Sequence, residues 1–391
     1  MLKEIKTERI PIKMWLSDIE EGALAQARNL ANLPFAHNHI ALMPDCHQGF
    51  GMPIGGVAAL DNVIIPNAVG VDIGCGMCAV KTTLEHVSHP VLKDIMTDIR
   101  EVVPLGFKHH KSAQGPENMP HHGEVDPSQN PIVAREYDKA EYQVGTLGGG
   151  NHFIEIQKDE NNHIWIMIHS GSRNIGKQVA DHYNRLAAEL NEKWKSPVPR
   201  SAQLAWLPLD SDEGQTYLRE MQYCVDFAFA NRKLMMKRIT DVFKQHFKGN
   251  FNAFPMINIA HNYAALETHN GKDLVVHRKG ATLAENGTIG IIPGSQGTQS
   301  FIVKGKGNPQ SFNSCSHGAG RVMGRKQAQR SLNLKEEIKK LNEKGIIHAI
   351  RTQKDLDEAT SAYKNIDVVM NNQKDLVDII HHLTPLAVVK G

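Results

Sequence analysis

A chain of 391 residues, 41% apolar and 22% charged, has ordinary globular composition and ample material for a large core, which excludes disordered, collagen-like and fibrous classes. Lys and Arg number 44 against 42 Asp and Glu, a formal net charge of +2, so overall charge does not bind a polyanion and any such site is a local patch. No apolar run approaches the roughly 18 to 20 residues of a membrane span, and the first fifteen residues carry Lys, Glu and Arg where a signal peptide needs an apolar core, so a cytoplasmic location without membrane contact is expected. Cys46, Cys75, Cys78, Cys224 and Cys315 are too few for a disulfide framework and are expected to be thiols or metal ligands.

In chain order, the Gly-rich, apolar stretch from Asp45 to Cys78 reads as short strands separated by turns, among them Gly56–Leu60 and Asn62–Pro66. From about Gly106 to Pro131 the sequence has no period and reads as a mobile surface loop. Strand patterns return at Asn151–Gln157 and His163–Ile168, joined by a four-residue hairpin loop, Asp159–Asn162. If Lys158 faces His163, His152 stands directly opposite His169. Helical patterns follow at Gly176 to about Lys195 and about Asp210 to Phe247, with a polar link beginning at Ser196. Strands with Gly turns resume from Phe251 to Lys306, and Gly318 to about Lys344 reads as helical. A length prior of about 150 residues per domain allows two or three domains. Strand-rich blocks on either side of a helical insertion, about 176–249, instead favour one composite domain over 1–391 with a mixed α/β fold.

Three groups of residues carry chemistry. Asp72 and Cys75 lie three apart in a Gly-rich turn, where they can point the same way or simply pack as a turn with a buried thiol. Cys75-x-x-Cys78 also invites a zinc or redox reading, but no second cysteine pair completes it. His152 and His169, if paired across the hairpin, hold their Cβ atoms about 5 Å apart on one face, and a one-residue slip would separate them. His261 lies beside another polar turn. A carboxylate, a thiolate and three imidazoles suit a borderline ion such as Mn2+, Zn2+ or Co2+ better than Mg2+ or Ca2+. The third group is Ser314–Arg325, where His317 precedes Gly318, Ala319 and Gly320 at an expected helix start, with Arg321 and Arg325 one turn apart on one face for phosphate contacts.

These residues carry a resemblance. Met43-Pro-Asp-Cys-His-Gln-Gly49, Val69-Gly-Val-Asp-Ile-Gly-Cys-Gly76, Gly150-Asn-His-Phe-Ile-Glu155, His169-Ser-Gly-Ser-Arg173, His261-Asn-Tyr263, Arg278-Lys-Gly-Ala281, Pro293-Gly-Ser295, Ser314-Cys-Ser-His-Gly-Ala-Gly-Arg321 and Lys390-Gly391 resemble, in order, the motifs of the RtcB family of GTP- and Mn2+-dependent RNA ligases. The resemblance spans nearly the whole chain. It implies two Mn2+ ions per chain, one on Asp72, Cys75 and His152, the other on Cys75, His169 and His261, with the thiolate bridging. It implies His317 as the nucleophile that takes GMP from GTP.

For the guanylate pocket the resemblance implies Asn151, His152, Phe153, Ile154 and Glu155, then His261 and Asn262. It adds Pro293, Gly294, Ser295, Gln296 and Ser300, and finally Gly318, Ala319, Gly320, Tyr363 and Lys390. Arg173, Lys279, Arg321 and Arg325 are expected at RNA phosphates. The implied partners are RNA with 3′-phosphate or 2′,3′-cyclic phosphate and 5′-hydroxyl ends, and an archease-type activator. The alternative is a metal-dependent RNA-end phosphoesterase on the same site, which needs the metal ligands but neither His317 nor a guanine pocket.

Overall fold

A computed structural model describes residues 1–120 and 125–391, so 121–124 of the segment read as a loop lie outside the described residues. The architecture is mixed α/β, built on two large sheets. The first, of six strands among the described residues, runs in the order Lys3–Ile5, Ile12–Met14, Ala36–Phe50, Met52–Leu60, Lys272–Lys279, Asn262–His269. The second, of seven, runs Ile257–Ala260, Gly76–Lys81, Ile164–Ser170, Phe153–Lys158, Val377–Lys390, Ser300–Gly305, Ile289–Ile292. The helices Arg173–Lys193 and Asp212–Phe247 form the expected insertion between the strand-rich blocks. The longer one starts where Ser211 accepts a hydrogen bond from the Gly214 N–H, a capping contact that satisfies one of the helix's unpaired donors.

Burial orients the strands of the second sheet. Ile154, Ile156, Ile166 and Ile168 are fully buried on one face, in a core shared with Met235, Ile239 and Phe243 of the long helix. Each such side chain contributes roughly 1.5–3 kcal/mol. The apolar faces favour pairing these strands, while the loop between them sets the register.

The expected hairpin register is off by one. Lys158 pairs with Ile164, and Phe153, not His152, faces His169. The loop holds five residues because Asp159 closes it: its backbone N–H bonds the His163 carbonyl, while its side chain accepts from the Asn161 and His163 N–H groups and from Trp165 Nε1. His152 therefore sits ahead of the strand.

The expected helix from Gly318 is also corrected. Residues 318–324 are irregular, and helices occupy only Arg325–Ser331 and Leu334–Glu343. Gly320 takes φ +73° with its Cα against the Asp45 carbonyl, a left-handed conformation and a close approach that an L side chain would not tolerate. Near the segment expected to be mobile, His110 Nε2 lies 2.7 Å from Arg238 Nη1 on the long helix, and Met119 is buried.

Candidate active site and metal centre

Cys75, His152 and His169 are buried with ligand atoms within 4.8 Å of one another. Cys75 Sγ lies 3.5 Å from His152 Nε2 and 3.2 Å from His169 Nε2. On one side Asp72 Oδ2 is 2.9 Å from His152 Nε2, and on the other His261 Nε2 is 3.4 Å from His169 Nε2. Cys75, His152 and His169 thus form the centre, with Asp72 beside His152 and His261 beside His169, despite the shifted register: His152 reaches the cluster from the turn before its strand.

The donor chemistry fits a cation. His152 Nδ1 donates to the Leu147 carbonyl and His169 Nδ1 to the Asn151 carbonyl, which turns both Nε2 atoms toward Cys75. Burial, reinforced by neighbouring imidazoles, lowers the basicity of His169 and His261, so neither protonates to relieve the crowding. Burial would raise the Asp72 carboxyl, but the His152 imidazole outweighs it and holds the acid at about 2. Burial, then Asp72, pushes the Cys75 thiol up, so its thiolate forms only against a positive charge. Packed lone pairs, an anionic carboxylate and a reluctant thiol form a set that a divalent ion completes.

Two features hold this set. Gly171 leaves room for the carboxylate, since a Cβ there would lie 2.1 Å from Asp72 Oδ1. The fully buried Arg232 of the long helix donates from Nη1 to the Gly74 and Ser170 carbonyls and from Nε to Asn258 Oδ1, tying the cysteine turn to two strands. Sequence reading missed Arg232, because nothing local to a helical arginine announces a partner some 160 residues away. Cys78 is not a sixth donor. Strand alternation sends it to the face of Ile168, where its Sγ contacts the Arg232 carbonyl.

His317 stands at the edge of the cluster, its ring centroid 4.8 Å from that of His261. Asp45, its side chain fully buried, accepts from His317 Nδ1 at 2.6 Å and from the His317 and Gly318 N–H groups. This fixes the tautomer and leaves Nε2 as the free nucleophilic atom. Asp45 was not singled out beforehand, although it lies inside the Met43–Gly49 motif. The Ala36–Phe50 strand shifts register between Leu42 and His47, and bulges of this kind re-aim a side chain.

A cavity of about 170 Å3 opens on one side of His317. It is lined by Asn151, Phe153, Glu155, Pro293, Gly294, Ser295, Gln296, Gly318, Ala319, Gly320, Tyr363 and Lys390, as the pocket assignment expects. Ile154 does not line it, because alternation along the strand points it into the apolar core. Ser300 lies behind the wall, bonded to Gln157 and to the Gly294 N–H. His152 belongs to the metal set. His261 and Asn262 line a second cavity, of about 440 Å3, on the other side of His317. Burial pushes the Glu155 carboxyl up to about 8 against the opposing pull of Gln157 and Lys390.

Glu358 was also missed. Its buried carboxylate holds Arg321 at 2.9 Å, Arg325 at 3.2 Å and Lys390 at 3.6 Å, and accepts from the Tyr363 hydroxyl. Arg321 and Arg325 thus converge on a carboxylate, not along one helix face as the spacing suggested. Arg173 donates to Thr146 Oγ1 and the Gly106 carbonyl. Burial lowers Lys279 to about 7, and its ammonium donates to the Phe50 and Asn67 carbonyls. Among the described residues no helix is long and apolar enough to cross a membrane.

The profile of a family described as tRNA-splicing ligase RtcB matches residues 26–391. The chain is 39% identical over 414 aligned positions to the RNA-splicing ligase RtcB1 of Escherichia coli, with 99% of each chain covered. It is 33% identical to the tRNA-splicing ligase RtcB of Nanoarchaeum equitans, covering 98% of this chain and 95% of that one. The corresponding protein of Thermococcus kodakarensis is 31% identical, with 99% and 96% covered.

Proposed function

The chain belongs to the RtcB family, and from that premise we propose that it is a cytoplasmic RNA ligase, using GTP and Mn2+, that joins 2′,3′-cyclic phosphate or 3′-phosphate ends to 5′-hydroxyl ends in RNA repair or tRNA splicing. The observation that carries the reading is the place of His317: its Nδ1 is bound to a buried carboxylate, and its ring lies between a cavity lined by Phe153, Glu155, Tyr363 and Lys390 and a cluster of candidate metal donors.

His317 Nε2 attacks the α-phosphorus of GTP; the N–P bond forms as the bond to pyrophosphate breaks, and Asp45 steadies the positive charge that develops on the ring. Water first opens a 2′,3′-cyclic end to a 3′-phosphate and a 2′-hydroxyl; transfer of GMP to the 3′-phosphate regenerates His317, and attack by the 5′-hydroxyl oxygen on that activated phosphate expels GMP. Divalent ions, one on Asp72, Cys75 and His152 and one on Cys75, His169 and His261, would neutralise phosphate charge during these displacements. Phe153 and Tyr363 offer faces for guanine, and Glu155 and Lys390 offer polar partners. Arg173, Lys279, Arg321 and Arg325 serve RNA phosphates, and an archease-type protein is the expected activator.

Incubation with GTP labelled at the α-phosphate tests the reading: label is expected on the protein, stable to denaturation and absent from His317→Ala. Unlabelled protein that hydrolyses RNA end phosphates would favour the phosphoesterase.

A further inference from the structure

We propose that Phe50 is the platform on which the terminal base of the phosphate-bearing RNA strand stacks. The inference rests on the ligase reading and extends it to the cavity that the guanylate does not use.

The two cavities meet at Ile54, Asn151 and His317. The larger one descends from a rim formed by Phe50 and Val71 to Asp72, Cys75 and His317, with Lys279 in its wall. A strand that receives GMP from His317 must present its phosphate to that imidazole from the side the guanylate leaves open. Its phosphate belongs at the floor, beside the metal donors and the one lysine of the wall. The attached nucleoside then points back toward the rim.

Phe50 is suited to meet it. The residue is 73% exposed, and Val71 beside it is 54% exposed. Isolated exposed apolar residues are common and by themselves mean nothing. Here, however, the backbone beneath the ring is clamped. The Phe50 carbonyl accepts from Lys279 Nζ at 2.6 Å, and the next residue, Gly51, takes φ +67° against the Gln203 carbonyl. The same lysine holds Asn67 at 2.8 Å, and Asn67 Nδ2 donates to the Gln203 carbonyl. An aromatic face held at the mouth of a polar cavity, with no ring among the described residues stacked upon it, is the arrangement that binds unpaired bases irrespective of their identity.

The test uses the Mn2+-loaded protein and a short oligoribonucleotide ending in a 3′-phosphate, with 2-aminopurine as its terminal base and no 5′-hydroxyl partner strand. Wild type is expected to quench the fluorophore. Phe50→Ala is expected to lose the quenching and to weaken binding roughly ten- to a hundredfold, while Phe50→Trp and Phe50→Tyr retain both. Phe107, 98% exposed and lining neither cavity, supplies the control, and Phe107→Ala should behave as wild type. Quenching undiminished in Phe50→Ala overturns the proposal. So does quenching that depends on Phe50 only when the fluorophore is moved to a 5′-hydroxyl strand. If wild type takes label from GTP and binds the oligonucleotide but is indifferent to Phe50, the inference fails alone; if wild type neither labels nor binds, the ligase reading fails with it.

Discussion

Two charged clusters lie beside the cavity next to His317, and they are built on opposite principles. Around Glu358 one carboxylate faces two guanidinium groups and an ammonium, so the buried anion is compensated by the protein itself. Around Cys75, imidazole Nε2 atoms face a sulfur and one another, with a carboxylate beside them. The first cluster is complete as folded, while the second offers a donor set that a cation would complete. A self-satisfied network positions a site, whereas an uncompensated one marks where an ion belongs.

The contrast can be broken first at His317, which lines one cavity with Glu358 and His169. His317→Ala is expected to abolish self-labelling by GTP while leaving metal content unchanged, and RNA already carrying a 3′ guanylate should still be sealed by it. Labelling that persists would dismiss His317. Next, Cys75→Ala removes the donor common to both sets. Changing an outer partner of a metal ligand typically costs ten- to a hundredfold in metal affinity, so loss of the bridging sulfur should exceed that, and should exceed His152→Ala or His169→Ala. Metal analysis per chain reads this directly, and two retained Mn2+ ions would refute the bridge.

Asp45→Asn should be intermediate, with labelling slowed roughly a hundred- to ten-thousandfold at unchanged metal content, because the ring loses its fixed tautomer and counter-charge. Glu358→Gln should invert the pattern of Cys75→Ala. It leaves three cations facing a neutral amide, so stability falls by about 1–3 kcal/mol, seen as a Tm lower by a few degrees, while Mn2+ binding holds.

The smallest effect is in the pH dependence of that penalty. Burial would raise the Glu358 carboxyl, but Lys390 and Arg321 lower it below the ordinary glutamate value. A depressed folded pKa stabilises above the unfolded value of about 4.3 and is lost as pH falls through the folded one. Urea unfolding of wild type and Glu358→Gln should therefore converge below about pH 4, and a gap that widens in acid would contradict the ion-pair account.

Much of this was legible in the chain. Period-two and helical apolar patterns located the hairpin strands and both long helices, because burial of one face is a local property of sequence. The five metal-site residues were named individually, and the structure brings them together. What escaped was non-local or conformational. Asp159 set the loop length through side-chain bonds that no spacing announces, and so moved the register by one. The left-handed backbone at Gly320 ended any helix after His317. Asp45, Arg232 and Glu358 act on partners 272, 158 and 37 residues away or are drawn together by the fold, so only topology reveals them.

The strand Val377–Lys390 joins Phe153–Lys158 on one side to Ser300–Gly305 on the other, with registers that span more than two hundred residues in the first case. In the order of synthesis, both neighbours emerge well before the strand that fills the gap. Until it arrives, two unpaired edges in the middle of the second sheet stand open, with apolar side chains between them, the condition under which chains stick to one another. Such long-range pairing also slows closure. The strand that carries Lys390 into the cavity beside His317 is thus also the seal of the sheet, so a nascent chain completes that cavity and covers its open sheet edges in the same late step.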